Sequence, residues 1–120
     1  MADRRRALGE YGERLAARYL TEAGLEVLDR NWRCEVGEID LVAREGGCLV
    51  VCEVKTRRRL EFGGPAVAVT PVKAARLRRL AGCWVEAHPS TDTRDVRIDV
   101  VAVMRPPHGP ATVEHLVGVA

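Results

Sequence analysis

Aromatic side chains are scarce in this chain: Phe, Trp and Tyr make up 4% of its 120 residues. A single-strand-binding platform stacks bases on aromatic faces, and the scarcity argues against that class. It also leaves Val, Leu and Ala to build the core. Charge of one sign is missing as well. With 19 basic against 17 acidic residues the net charge is +2, well short of a strongly basic nucleic-acid binder. The four cysteines, Cys34, Cys48, Cys52 and Cys83, contain no CxxC pair and no zinc-ligand spacing with the histidines. Cys52 and Cys83 lie in apolar runs, where free Cys behaves as a small hydrophobe, and a reducing cytoplasm suits that usage. No apolar run approaches the ~20 residues needed to span a bilayer, so no membrane association is expected. The basic start is followed by Glu10 and Glu13 rather than by the apolar segment of a signal peptide. Neither an internal repeat nor a low-complexity segment is found.

What is there reads as one globular domain, with 47% apolar and 30% charged residues. Residues 1–7 form a basic arm, expected to be mobile. From Leu8 to Ala23 apolar residues recur at three- and four-residue steps, which predicts a helix stopped by Gly24. Three strands follow, over about 25–34, 38–44 and 48–56, with turns at Val36-Gly37 and Glu45-Gly46-Gly47. A long loop, 57–69, carries Gly63-Gly64-Pro65. Thr70 as N-cap and Pro71 at the first helical position open a second helix, whose expected buried stripe is Val72, Leu77, Leu80, Ala81 and Trp84. Alternation from Arg94 to Met104 predicts a long strand with Val96, Ile98, Val100, Ala102 and Met104 on one face, and Thr112 to Val119 a last one. The order α-β-β-β-α-β-β predicts an α/β fold with a mixed sheet flanked by helices.

The third strand is unusual. Leu49 to Val54 is apolar enough to be covered on both faces, yet Glu53 and Lys55 occupy its end. Side chains two apart on a strand point to one side, and such charged residues are almost never buried unless paired. Across the hairpin, Asp40 can approach Glu53. Two carboxylates plus waters suit Mg²⁺, which would polarise a phosphate oxygen and activate a water. Lys55 could orient that water or stabilise developing charge. Glu13, from the first helix, could complete the metal shell or hold a ligand water. An ion-pair network among Asp40, Glu53 and Lys55 is the structural alternative. Glu38 shares the side of Asp40, as an auxiliary ligand or the partner of an arginine. Arg57, Arg58, Lys73 and Arg76 are candidate phosphate contacts; taken cluster by cluster, the arginines also read as solvated surface. Asp99 reads as a salt-bridge partner, Trp32 and Trp84 as core, and the histidines are given no role.

The helix-β-β-β-helix-β order with Glu13, Asp40 and Glu53-Val54-Lys55 resembles the PD-(D/E)XK, restriction-endonuclease-like superfamily. Closer still, Gly12-Glu13-x-x-Ala16, Tyr19-Leu20, Asn31, Gly37-Glu38-Ile39-Asp40-Leu41-Val42, Glu53-Val54-Lys55-x-Arg57, Phe62-Gly63, Lys73 and Arg97-Ile98-Asp99-Val100-Val101 look like the YraN family. That family is similar to archaeal Holliday-junction resolvases. The resemblance runs from about Gly9 to Val103. It implies an αβββαβ core, metal-binding carboxylates at Glu13, Asp40 and Glu53, and a catalytic lysine at Lys55. Ile39 stands where the superfamily often has Pro. The expected function is a Mg²⁺-dependent endonuclease, Mn²⁺ also serving, that hydrolyses phosphodiester bonds of DNA, branched DNA included. A symmetric homodimer would let so small a chain address both strands. The alternative is a non-catalytic nucleic-acid-binding module that keeps the fold.

Overall fold

A computed structural model describes residues 2–58 and 69–119. Helix α1 (Ala2–Glu22) is followed by strands β1 (Glu26–Cys34), β2 (Gly37–Glu45) and β3 (Cys48–Arg57). Helix α2 (Pro71–Ala87), β4 (Asp95–Met104) and β5 (Thr112–Leu116) complete the order. The expected α/β architecture with an αβββαβ core is present. The five strands form one sheet in sequence order, antiparallel throughout except for the β3–β4 pair, which is parallel. Most of the loop expected over 57–69, including Phe62-Gly63 and Gly63-Gly64-Pro65, lies outside the described residues.

Helix α1 starts earlier than its apolar periodicity suggests. Arg4, Arg5 and Arg6, expected in an arm ahead of the helix, belong to its first turns. The C-terminal stop is as expected. Gly24 takes φ +97°, its N–H bonds Thr21 O at 3.1 Å, and Leu25 N–H reaches back to Leu20 O at 2.9 Å. These are the two bonds of a Schellman cap, and glycine tolerates the left-handed turn they need.

The helices cover opposite faces of the sheet. Ala16, Ala17 and Leu20 of α1 pack with Leu41, Ala43, Val50, Cys52, Val101 and Val103. Leu77, Leu80, Ala81 and Trp84 of α2 pack with Ile39, Val42, Leu49, Val51 and Ile98. Successive β3 residues therefore enter opposite cores, which explains its unbroken apolar run. One expectation is corrected. Val72 is 82% exposed and does not belong to the buried stripe of α2. In strand β4, Ile98, Val100, Val101 and Val103 are all buried, because β4 is paired on both edges and packed on both faces. Among the described residues, no helix is long and apolar enough to cross a membrane.

Trp84 and His88 show how polar atoms are managed in the α2 core. The Trp84 Nε1–H donates to Asp29 Oδ2 at 2.9 Å, and the His88 ring stacks on the indole with centroids 4.0 Å apart. Asp29 reaches them beside an irregularity in the β1–β2 register between Val27 and Asp29.

Candidate active site

Strands β2 and β3 pair from Glu45↔Cys48 to Leu41↔Cys52. Asp40 and Glu53 would come next, but the ladder stops before them. Instead, Asp40 Oδ2 accepts the Val54 N–H at 2.8 Å. A side chain satisfies a donor that the neighbouring main chain has left, and the two strands open into a fork. Glu53 and Lys55 continue the row of Leu49 and Val51 toward α2. Lys55 Nζ lies 3.9 Å from Glu53 Oε1, and Lys73 Nζ of α2 lies 3.0 Å from the same oxygen.

Glu13 arrives from the α1 side through a close approach of backbones. A Cβ on Gly12 would fall 1.8 Å from Thr56 Oγ1 and 2.9 Å from Thr56 Cβ. Only glycine lets the helix lie this near β3, and Glu13 is the next residue. The Asn31 side-chain amide lies near enough to Glu13 to favour its carboxylate form. Asn31 adopts φ 50°, a left-handed conformation that Asn accepts more readily than most residues. It falls between the pairs Arg30↔Leu41 and Trp32↔Ile39, and so opposite the Asp40 position of β2.

Glu13, Asp40, Glu53, Lys55 and Arg57 line one cleft of ≈ 360 Å³, with Arg5, Leu8 and Gly9 on the α1 wall. Its electrostatics are unbalanced. Burial pushes the Asp40 carboxyl up to about 7, aided by the neighbouring Glu53, Glu13 and Glu38 charges and opposed by the Val54 N–H. Burial also raises Glu13, opposed by the neighbouring Asn31 amide. Lys55 is lowered, first by burial and then by the adjacent Lys73 ammonium. A buried carboxyl crowded by other carboxylates is short of positive charge.

Among the described residues, no three His, Cys, Asp or Glu side chains converge as a metal-binding group. Mg²⁺ seldom uses so many; one or two carboxylates and several waters are its usual protein set. Asp40 and Glu53 at the fork, with a raised carboxyl that a cation would lower, fit that chemistry.

The remaining expected site residues are distributed unevenly. Arg57 is on the cleft, and its Nη1–H donates to Thr56 O at 3.1 Å. Arg58 and Arg76 are exposed and away from the cleft lining. Lys73 is drawn inward to Glu53. Glu38 takes the arginine partner, with Arg33 Nε at 3.2 Å from its Oε2. Two contributors escaped a sequence-based assignment. Arg5 reaches the cleft only because α1 extends to residue 2, and the positioning role of Asn31 depends on a backbone conformation that residue type alone does not announce.

Residues 12–103 match the model of the Uncharacterised protein family UPF0102. The chain belongs to UPF0102. A UPF0102 protein of Kineococcus radiotolerans is 64% identical over 114 residues, covering 95% of this chain and 93% of that protein. One from Streptomyces coelicolor is 59% identical over 97% of this chain and 90% of its own length, and one from Nocardioides sp. is 56% identical over 96% and 92%. The UPF0102 match opens at Gly12, at the close approach to Thr56, and so takes in Glu13, Asp40, Glu53, Lys55 and Lys73.

Proposed function

We propose that this UPF0102 chain is a metal-dependent endonuclease that hydrolyses phosphodiester bonds of DNA, branched DNA included. The observation that carries the reading is the fork: Asp40 and Glu53 at the point where β2 and β3 part, with Lys55 and Glu13 on the same cleft. Asp40 and Glu53 would hold Mg²⁺ or Mn²⁺ with Glu13 placed to fix a ligand water, and the ion would supply Lewis-acid activation of phosphate and water. Lys55, its ammonium form disfavoured by burial and by Lys73, is suited to taking a proton from the attacking water or to stabilising charge on phosphorus-bound oxygen. Arg5 and Arg57 on the cleft are positioned for phosphate oxygens. Arg58 and Arg76, exposed outside it, add sequence-independent attraction to the DNA backbone. A symmetric homodimer would present two such clefts to the two strands. The cytoplasm, with thiols kept reduced, is the compartment that goes with this reading.

One observation favours a second reading, a binding module without chemistry: Glu53 already carries an ammonium partner at 3.0 Å. The two are separated by incubating purified protein with linear, flapped and four-way DNA in Mg²⁺ or Mn²⁺, beside Glu53→Ala and Lys55→Ala. The nuclease predicts cleavage by wild type and its loss in both variants, with unfolding curves showing that they remain folded. Equal trace cleavage in all three proteins overturns it. DNA binding that persists in wild type with no cleavage in either metal establishes the binding module.

A further inference from the structure

Helix α2 sends one cation to the site from outside the cleft wall. Thr70 caps the helix, its Oγ1 accepting the Lys73 N–H at 3.2 Å, and Pro71 fixes the first helical position. Lys73 is therefore held in the first turn, with its backbone fastened by the cap. Its Nζ lies 3.0 Å from Glu53 Oε1, closer than Lys55 Nζ at 3.9 Å from the same oxygen. The Glu53 side chain is 15% exposed and that of Lys73 23%, so the pair is largely withdrawn from water. Asp40 is held instead by a neutral donor, the Val54 N–H at 2.8 Å. One carboxylate of the site thus carries its own ammonium ion.

That oxygen faces two demands. A divalent cation bound to it would stand beside the ammonium, and two like charges a few ångströms apart repel strongly where water is scarce. We propose that Lys73 is a tethered counter-ion that occupies Glu53 Oε1 until a divalent metal displaces it, and that its released Nζ then engages a substrate phosphate. This rests on the metal-dependent nuclease reading. The location supports the second half of the exchange: Lys73 emerges in the first turn of α2, where the helix dipole favours an anion. Lys73 is then a positioning residue that couples the two ligands. Metal and phosphate both favour the displaced arrangement, so by linkage each tightens the other.

The test is a Mn²⁺ titration of the full chain, followed by the paramagnetic resonance of the free aquo ion at ~0.15 M salt, where distant surface charges are screened. Wild type is compared with Lys73→Met, Lys73→Arg and Arg79→Gln, the last removing one exposed positive charge from the same helix. Lys73→Met is expected to bind Mn²⁺ about tenfold more tightly, a coupling of ordinary size. Lys73→Arg should stay near wild type and Arg79→Gln within about twofold. Thermal unfolding of each variant shows that it is folded. Wild-type binding of Mn²⁺ with an unchanged or weaker Lys73→Met affinity overturns the counter-ion and leaves the nuclease reading standing. Equal tightening in Lys73→Met and Arg79→Gln also overturns it, since net charge alone then accounts for the change. Should neither wild type nor Lys73→Met bind Mn²⁺, the metal reading falls and takes this inference with it.

Discussion

Replacing Gly12 by Ala tests how the α1 wall of the site is built. The added Cβ would meet Thr56 Oγ1 at 1.8 Å and Thr56 Cβ and Cγ2 both at 2.9 Å. Rotation of Thr56 about χ1 can move Oγ1 and Cγ2, but its Cβ is fixed to the strand. Restoring an ordinary carbon–carbon separation of about 3.5–4.0 Å therefore requires α1 to retreat from β3 by roughly 0.6–1 Å. Overpacking of this kind costs about 1–3 kcal/mol, while Ala in place of Gly returns about 1 kcal/mol of helix propensity. The net expectation is a loss of about 1 kcal/mol, or roughly 4 °C in Tm for a domain of this size. Urea unfolding of Gly12→Ala, Thr56→Ala and the double variant provides the measurement. Thr56→Ala removes two of the three clashing atoms, so the double variant should recover part of the loss and give a coupling energy above about 0.5 kcal/mol. A Gly12→Ala protein more stable than wild type by the full propensity gain, with additive behaviour in the cycle, would refute the close approach. Because Glu13 is the adjacent residue, the same retreat should lower cleavage by up to about 100-fold if Glu13 positions the metal or its water.

The buried Asp99 accepts Arg97 Nε and Nη2 at 2.9 and 3.0 Å, His115 Nε2 at 2.7 Å and the Gly118 N–H at 3.0 Å. Burial alone would raise this carboxyl, but Arg97, Gly118 and His115 together hold it below its ordinary 3.8. A depressed folded-state pKa contributes stability that is complete above the unfolded value and is lost as pH falls through the folded one. Urea unfolding should thus show wild type losing stability below about pH 4 more steeply than Asp99→Asn, and Asp99→Ala costing about 3 kcal/mol at pH 7; an Asp99→Ala loss within 0.5 kcal/mol, on the order of a neutral surface change, would rule the network out as a support. At Asn31, Gly keeps the left-handed backbone and Val does not. Calorimetry should find Asn31→Gly within about 0.5 kcal/mol of wild type and Asn31→Val lower by about 1–2 kcal/mol, and equal losses would count against the backbone assignment.

Much of this arrangement was legible in residue patterns because period and punctuation agree with the tertiary structure. Gly24 stops α1, Thr70-Pro71 starts α2, and the apolar run 49–52 marks a strand covered twice. The charged pair at the end of that run pointed to the site, since Glu53 and Lys55 conflict with burial unless something meets them there. Other features rest on contacts between distant segments. The alternation in β4 sorts its residues by face, but nothing local announces a strand paired on both edges. Val72 matches the helical stripe yet lies at the helix start, outside the reach of the core. Arg97, Asp99 and His115 are scattered charged and polar residues until β5 pairs with β4, through His115↔Val101 and its neighbours, and places the imidazole on the carboxylate. Gly12 signals a close approach only once Thr56 is known to lie opposite.

The fork at Asp40 makes one residue responsible for two separable properties. Its carboxylate contributes negative charge to the cleft, and its Oδ2 replaces a missing main-chain acceptor for Val54. Truncation to Ala removes both. It would leave a strand donor unsatisfied, a loss of about 1–3 kcal/mol if the N–H stays buried, and would free the last turn of the β2–β3 ladder to re-pair or fray. Inactivity of Asp40→Ala would then report the geometry of the fork as much as its chemistry. Asn retains an oxygen that can accept the Val54 N–H while discarding the charge. Asp40→Asn is therefore the substitution that asks about ligand chemistry alone, and the difference between the two variants measures how far the site depends on strands being held apart by a side chain.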